Sequence, residues 1–147
     1  MSKDFPRSLE ERSRVRRLFG MQELLYDISI LQFDNVTSIR GQDLVYLKRG
    51  LWIIESEMAR DSRQALYDFN KLVLGNAQNV LFIGPQLNDS ERHNGYLRVL
   101  KAPARNCASA PYLALIPHPD SWTIDTRSVK LYSWQGDEWS DDLGPFI

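Results

Sequence analysis

Three carboxylates near a hydrophobic run are the residues best placed to do chemistry in this chain. Asp43 precedes the run and Glu55 and Glu57 follow it, in QDLVYLKRGLWIIESE. Two carboxylates held across a strand pair can bind Mg²⁺ and leave positions for waters and a phosphate oxygen. Lys71, which shares a helical face with Gln64 and Asp68, offers a basic group nearby. Other chemistries have less support. His93 and His118 have no Cys or His at ligand spacing, so a zinc site is not expected. Cys107 and His118 are lone residues of the kind that are usually structural. No phosphate-cradling glycine loop and no nucleophile elbow occurs.

What must position the acids is the segment from Gln42 to Gly84, read as strand, tight turn, strand, helix, strand. Leu44, Leu47, Leu51, Ile54 and Met58 also fall at helical spacing, so a single long helix to Leu74 competes with the hairpin. Gly50 in the interior and the β-forming run Leu51-Trp52-Ile53-Ile54 favour the hairpin. Register then decides the chemistry. A two-residue turn at Arg49-Gly50 sets Asp43 opposite Ser56, away from Glu55. A three-residue turn, Lys48-Arg49-Gly50, with Gly50 left-handed, sets Asp43 opposite Glu55 and gathers all three acids on one face.

Around this segment the chain reads as one domain over residues 1–147. Ser8-Leu9-Glu10-Glu11 is a capping box that predicts a helix to about Leu25. Arg12, Arg14, Arg16 and Arg17 lie on its first turns. They are candidates for phosphate contact, against the blander reading of a solvated face paired with Glu10 and Glu11. Asp27–Asp34 predicts a strand and Asn35–Gly41 a connection. A helix is expected from Glu91 to Lys101, closed by Pro103. A buried strand follows at Tyr112–Ile116, and a hairpin from Val129 to Trp139 turns at Gln135-Gly136-Asp137. Strands alternating with helices define an α/β fold with a central mixed sheet flanked by helices.

The totals set outer limits. The net charge of -1 makes any basic patch local, and 43% hydrophobic residues suit a globular core. No apolar run approaches the roughly 20 residues a membrane helix needs, and no secretory apolar core opens the chain. The single cysteine fits a reducing compartment, so the cytoplasm is the expected location. Nucleic acid and a second copy of the chain, as a homodimer, are the partners left open.

Asp43, then Glu55-x-Glu57 ending a hydrophobic strand, then a helix and the strand NVLFIG, resemble the core of the PD-(D/E)xK nuclease superfamily. The resemblance covers roughly residues 8–84 and implies its αβββαβ order. It implies metal-dependent phosphodiester hydrolysis of DNA or RNA, with Mg²⁺ or Mn²⁺ on Asp43 and Glu55. The family's lysine position falls on Glu57, and Gly41-Gln42 stands where the family has a proline. The first departure would make Glu57 a ligand or base and leave the basic role to Lys71. Arg12, Arg16 and Arg17 would contact the nucleic-acid backbone. The alternative is a catalytically inactive nuclease-like module that binds nucleic acid or protein.

Overall fold

The computed structural model describes residues 26–119 and 129–141. The helix expected before Leu25, with Arg12, Arg16 and Arg17, lies outside them. Among the described residues six strands form one mixed sheet in sequential order: β1 (Ile28–Thr37), β2 (Asp43–Ser56), β3 (Ala77–Pro85), β4 (Pro111–Ile116), β5 (Lys130–Gln135) and β6 (Glu138–Ser140). Helix α1 (Ser62–Val73) joins β2 to β3, and α2 (Ser90–Ala104) joins β3 to β4. β2, β3 and β4 are parallel; β1 pairs antiparallel with β2, β5 with β4, and β6 with β5. The chain is therefore an α/β domain with a parallel centre and antiparallel edges.

The two helices pack on each other as well as on the sheet, so both lie on one face. Ala65, Phe69 and Leu72 recur along one side of α1, and Tyr96, Leu100 and Ala104 along one side of α2. Opposite them stand Ile53 of β2, Val80 and Phe82 of β3, and Leu113 and Leu115 of β4. Strand side chains alternate between faces. Their neighbours Trp52, Ile54, Leu81, Ile83 and Tyr112 therefore line the second face, where they are half-buried. Trp52 and Tyr112 approach there with ring centroids 5.9 Å apart. Asp61 and Asp89 cap the helices, each accepting a backbone N–H from the first turn. Pro103 does not end α2 as the sequence predicts; the last turn carries it and the helix runs to Ala104.

The expected hairpin at Gly50 is corrected. Asp43 to Ser56 is one continuous strand, which removes both the turn at Lys48-Arg49-Gly50 and the rival long helix. The reversal instead lies at Ser38–Gln42, between β1 and β2, where Gly41 adopts a φ of +76°. Its amide donates to Ser38 O at 2.9 Å, and Ser38 N donates to Gln42 O at 2.7 Å. Gly50 serves a different purpose. It lies beside Ala77 at the start of the β2–β3 pairing, where an added Cβ would come within 3.1 Å of Ala77 Cβ. The β1–β2 register also slips on either side of it, between Ile30 and Leu31 and between Gln32 and Phe33. A glycine within a strand marks such close approaches and bulges as readily as it marks turns.

Two strands, rather than the three of the αβββαβ order, thus precede α1 among the described residues. β2 joins β3 only from Gly50 onward. Residues 43–49 and their partners on β1 consequently extend past the sheet as a two-stranded arm, on the order of 20 Å long at strand rise.

Candidate active site

Asp43 and Glu55 occupy opposite ends of β2. Twelve residues of extended chain separate them by ~40 Å, so they cannot share an ion. Asp43 is exposed near the tip of the arm and accepts a hydrogen bond from Thr37 Oγ1 at 3.2 Å. The expected Asp43–Glu55 pair is therefore corrected, and the reason is the register: with the turn at Ser38–Gln42, Asp43 pairs with Thr37.

Glu55 keeps its place at a strand end and gains new neighbours. Antiparallel pairing sets Ile28, at the start of β1, opposite Ile54 near the end of β2. Asp27 thereby arrives beside Glu55. Its backbone N–H donates to Glu55 Oε1 at 3.2 Å, while its own Oδ2 accepts from Ser56 N at 2.8 Å and Ser56 Oγ at 2.7 Å. On the other side Glu55 Oε2 receives Lys71 Nζ at 3.0 Å, and the same ammonium lies 2.7 Å from Asp68 Oδ1. Asp68 and Lys71 are three residues apart on α1 and share a face, as their spacing predicts. Asp27, Glu55, Asp68 and Lys71 form one chain of charges.

The Glu55 side chain is only 1% exposed, among apolar neighbours on the helix-covered face of the sheet. Burial pushes its carboxyl above the ordinary range, and the nearby Asp27 charge acts in the same direction, against the Lys71 hydrogen bond. Lys71 moves up as well, through its hydrogen bonds to Asp68 and then Glu55, and so stays charged throughout the neutral range. Tyr26 belongs to the same neighbourhood. Burial raises its phenol and the Glu55 charge adds to that, and its hydroxyl lies close to Gly75, where an added Cβ would approach it to 2.8 Å.

Glu57 stands two residues past Glu55, where its N–H donates to Ile83 O at 3.0 Å and its Oε1 accepts from Ala59 N at 2.6 Å. Among the described residues no group of three or more His, Cys, Asp or Glu gathers to hold a metal. An ion here would rest on Asp27 and Glu55. That donor set suits Mg²⁺, which takes one or two carboxylates and fills its remaining positions with water. Asp27 and Asp68 are the residues that sequence reasoning did not assign to the site. The signal for Asp27 was its position at the start of a strand, usable only once the turn was placed at Gly41.

The cluster lies at the carboxyl end of β2. The chain matches no family model, no curated protein and no solved structure. No helix among the described residues is long and apolar enough to cross a membrane.

Proposed function

We propose that the chain is a metal-dependent hydrolase of phosphodiester bonds in nucleic acid, with its centre at Asp27, Glu55 and Lys71. One observation carries this reading: a buried carboxylate at a strand end, held by a helix lysine and flanked by a second carboxylate. A strand-end acid that served only as a solvated edge residue would be exposed; Glu55 is not. The desolvation of such a group is costly unless it is paired and hydrogen-bonded, as here.

In this reading Asp27 and Glu55 would hold Mg²⁺ or Mn²⁺, with Asp27 on the exposed side and Glu55 anchored from below. When bound, the ion supplies charge neutralisation at the scissile phosphate and acidifies water. Lys71 remains protonated, so its part is electrostatic: it orients Glu55 and offers positive charge to a phosphate oxygen, and it does not accept the water proton. Glu57 is the carboxylate left for that step, and its hydrogen bond to Ala59 fixes where it stands. This replaces Asp43 in the assignment and retains Glu55, Glu57 and Lys71.

A second reading keeps the fold without catalysis, as a module that binds nucleic acid or protein. What favours it is the occupancy of both Glu55 oxygens by protein donors, an arrangement equally suited to a structural ion pair. Incubation of supercoiled plasmid and of labelled single strands with Mg²⁺ or Mn²⁺ separates the two. Cleavage lost in Asp27→Asn and Glu55→Gln supports hydrolysis; no cleavage of any substrate with either ion supports the binding module.

A further inference from the structure

A cleft of about 370 Å³ opens between the start of α1 and one side of α2, and three arginines line it: Arg60, Arg92 and Arg98. It lies beyond the carboxyl ends of β2 and β3, the end of the sheet that also carries Glu55. Arg60 follows Glu57 by three residues on the segment leading from β2 into α1. Its floor includes Tyr96, whose ring is 2% exposed and whose hydroxyl is buried without a hydrogen-bond partner among the described residues.

Among the lining residues arginine outnumbers carboxylate three to one. Asp61 is the carboxylate on its wall, and that group is already engaged, accepting from Arg63 N at 2.9 Å and lying 3.5 Å from the Arg63 guanidinium. Arg92 and Arg98 are exposed and form no ion pair with a carboxylate among the described residues. The two guanidinium groups of Arg92 and Arg98 beside a polar cavity, in a chain of net charge -1, make a positive local field. Guanidinium forks match phosphate oxygens in pairs, and arginine is favoured wherever that geometry is used. The anion-binding capacity here belongs to the side chains, since Asp61 already caps the first turn of α1 through the Arg63 amide.

We propose that this cleft binds phosphates of a nucleic-acid strand, holding the backbone beside the bond presented to Asp27 and Glu55. The inference rests on the hydrolase reading for its ligand, but it is tested separately. Binding of a labelled single-stranded oligonucleotide and of a duplex is measured in EDTA, where no cleavage occurs, over a range of salt concentrations. Arg92→Ala/Arg98→Ala is expected to bind about tenfold more weakly than the native chain. The slope of log affinity against log salt is expected to fall by roughly 1.4 for the single strand and 1.8 for the duplex, two phosphate contacts' worth. Arg92→Lys/Arg98→Lys is expected to recover the slope and part of the affinity, and both double variants should melt at the native temperature because the side chains are exposed.

Equal affinity and slope for the alanine variant overturns the cleft assignment, as does a native chain that binds neither probe. Binding of a nucleoside triphosphate in place of either oligonucleotide also overturns it, by showing a mononucleotide site. Glu55→Gln that binds like the native chain, in a protein that never cleaves, leaves the cleft standing and removes the hydrolase reading.

Discussion

At the scale of single residues, Glu55 distinguishes catalysis from structure. If its charge serves chemistry, Glu55→Gln keeps the shape and one of the two hydrogen bonds, since its amide nitrogen cannot accept from Asp27 N or Lys71 Nζ, and loses activity by at least about a hundredfold. The same change should cost roughly 1–2 kcal/mol of stability, because the donor left unpaired is partly offset by removal of a buried charge. Thermal melting and cleavage, measured on the same preparation, check the two halves together. Lys71→Ala costs more stability. It leaves a buried carboxylate without its cation, at a cost of roughly 2–3 kcal/mol, below the usual range for a broken buried pair because Lys71 is one-third exposed. Urea unfolding at neutral pH reads this directly.

The pH dependence follows from the same residue. Folding raises the Glu55 carboxyl, so between the unfolded and folded values the native state holds a proton that the unfolded state has lost. Its contribution to stability is therefore fullest below the unfolded value and declines as pH rises through the folded one. Activity runs the other way, since only ionised Glu55 can hold a cation. In the metal-free protein the Glu55 carboxyl is expected to titrate above an ordinary glutamate, about 4.3, as read from its carboxyl carbon NMR shift. A metal-free midpoint at or below that value would contradict a buried, raised Glu55 carboxyl.

At the scale of elements, the β1–β2 arm explains most of what was and was not legible. Strand propensity in Asp27–Asp34 and Tyr112–Ile116 located those elements closely, and so did the Gln135-Gly136-Asp137 turn. The spacing of Gln64, Asp68 and Lys71 places those residues on α1, and the helix expected over Glu91–Lys101 falls within α2. Two glycines nine residues apart, Gly41 and Gly50, could each have closed the hairpin, and local sequence did not separate them. Gly50 is decided by a contact distant in sequence, its approach to Ala77 across the β2–β3 pairing. Choosing the wrong glycine carried Asp43 into the site and left Asp27 out. The Lys71 pairing was legible because helical spacing is local.

The arm itself adds nothing to the core. Phe33, Val36, Leu44, Val45, Tyr46 and Leu47 on it are all about half exposed. Its cross-strand polar contacts, such as Lys48 with Asp34 at 2.7 Å, are surface pairs of small value. Replacing residues 33–48 with a short turn is expected to shift the melting temperature by only a few degrees, by calorimetry, because no buried side chain is lost. By contrast, Gly75→Ala would place a Cβ 2.0 Å from Ile53 Cδ1 and is expected to destabilise by roughly 1–3 kcal/mol.

At the scale of the whole molecule, the parallel centre of the sheet gathers two features at one end: the Asp27–Glu55–Lys71 cluster and the arginine cleft. Both follow from topology. β2 and β3 run the same way, so the segments leaving them enter the helices on the same side, and antiparallel β1 returns its first residue to that end. Ion binding at Asp27 and Glu55 would stabilise the native state by mass action, by ~1.4 kcal/mol at ten times the dissociation constant. For a chain of this length that is a rise in melting temperature of about 4 °C. The rise should vanish in Asp27→Asn/Glu55→Gln and persist in Asp43→Ala.

The most direct measurement is cleavage of supercoiled plasmid and of labelled single strands in Mg²⁺ and in Mn²⁺ by the native chain, Asp27→Asn, Glu55→Gln and Asp43→Ala. The expected result is metal-dependent cleavage by the native chain and by Asp43→Ala within about twofold of each other, with loss of at least about a hundredfold in the other two. Cleavage that survives Glu55→Gln, or that disappears with Asp43→Ala alone, would contradict a centre built on Asp27, Glu55 and Lys71.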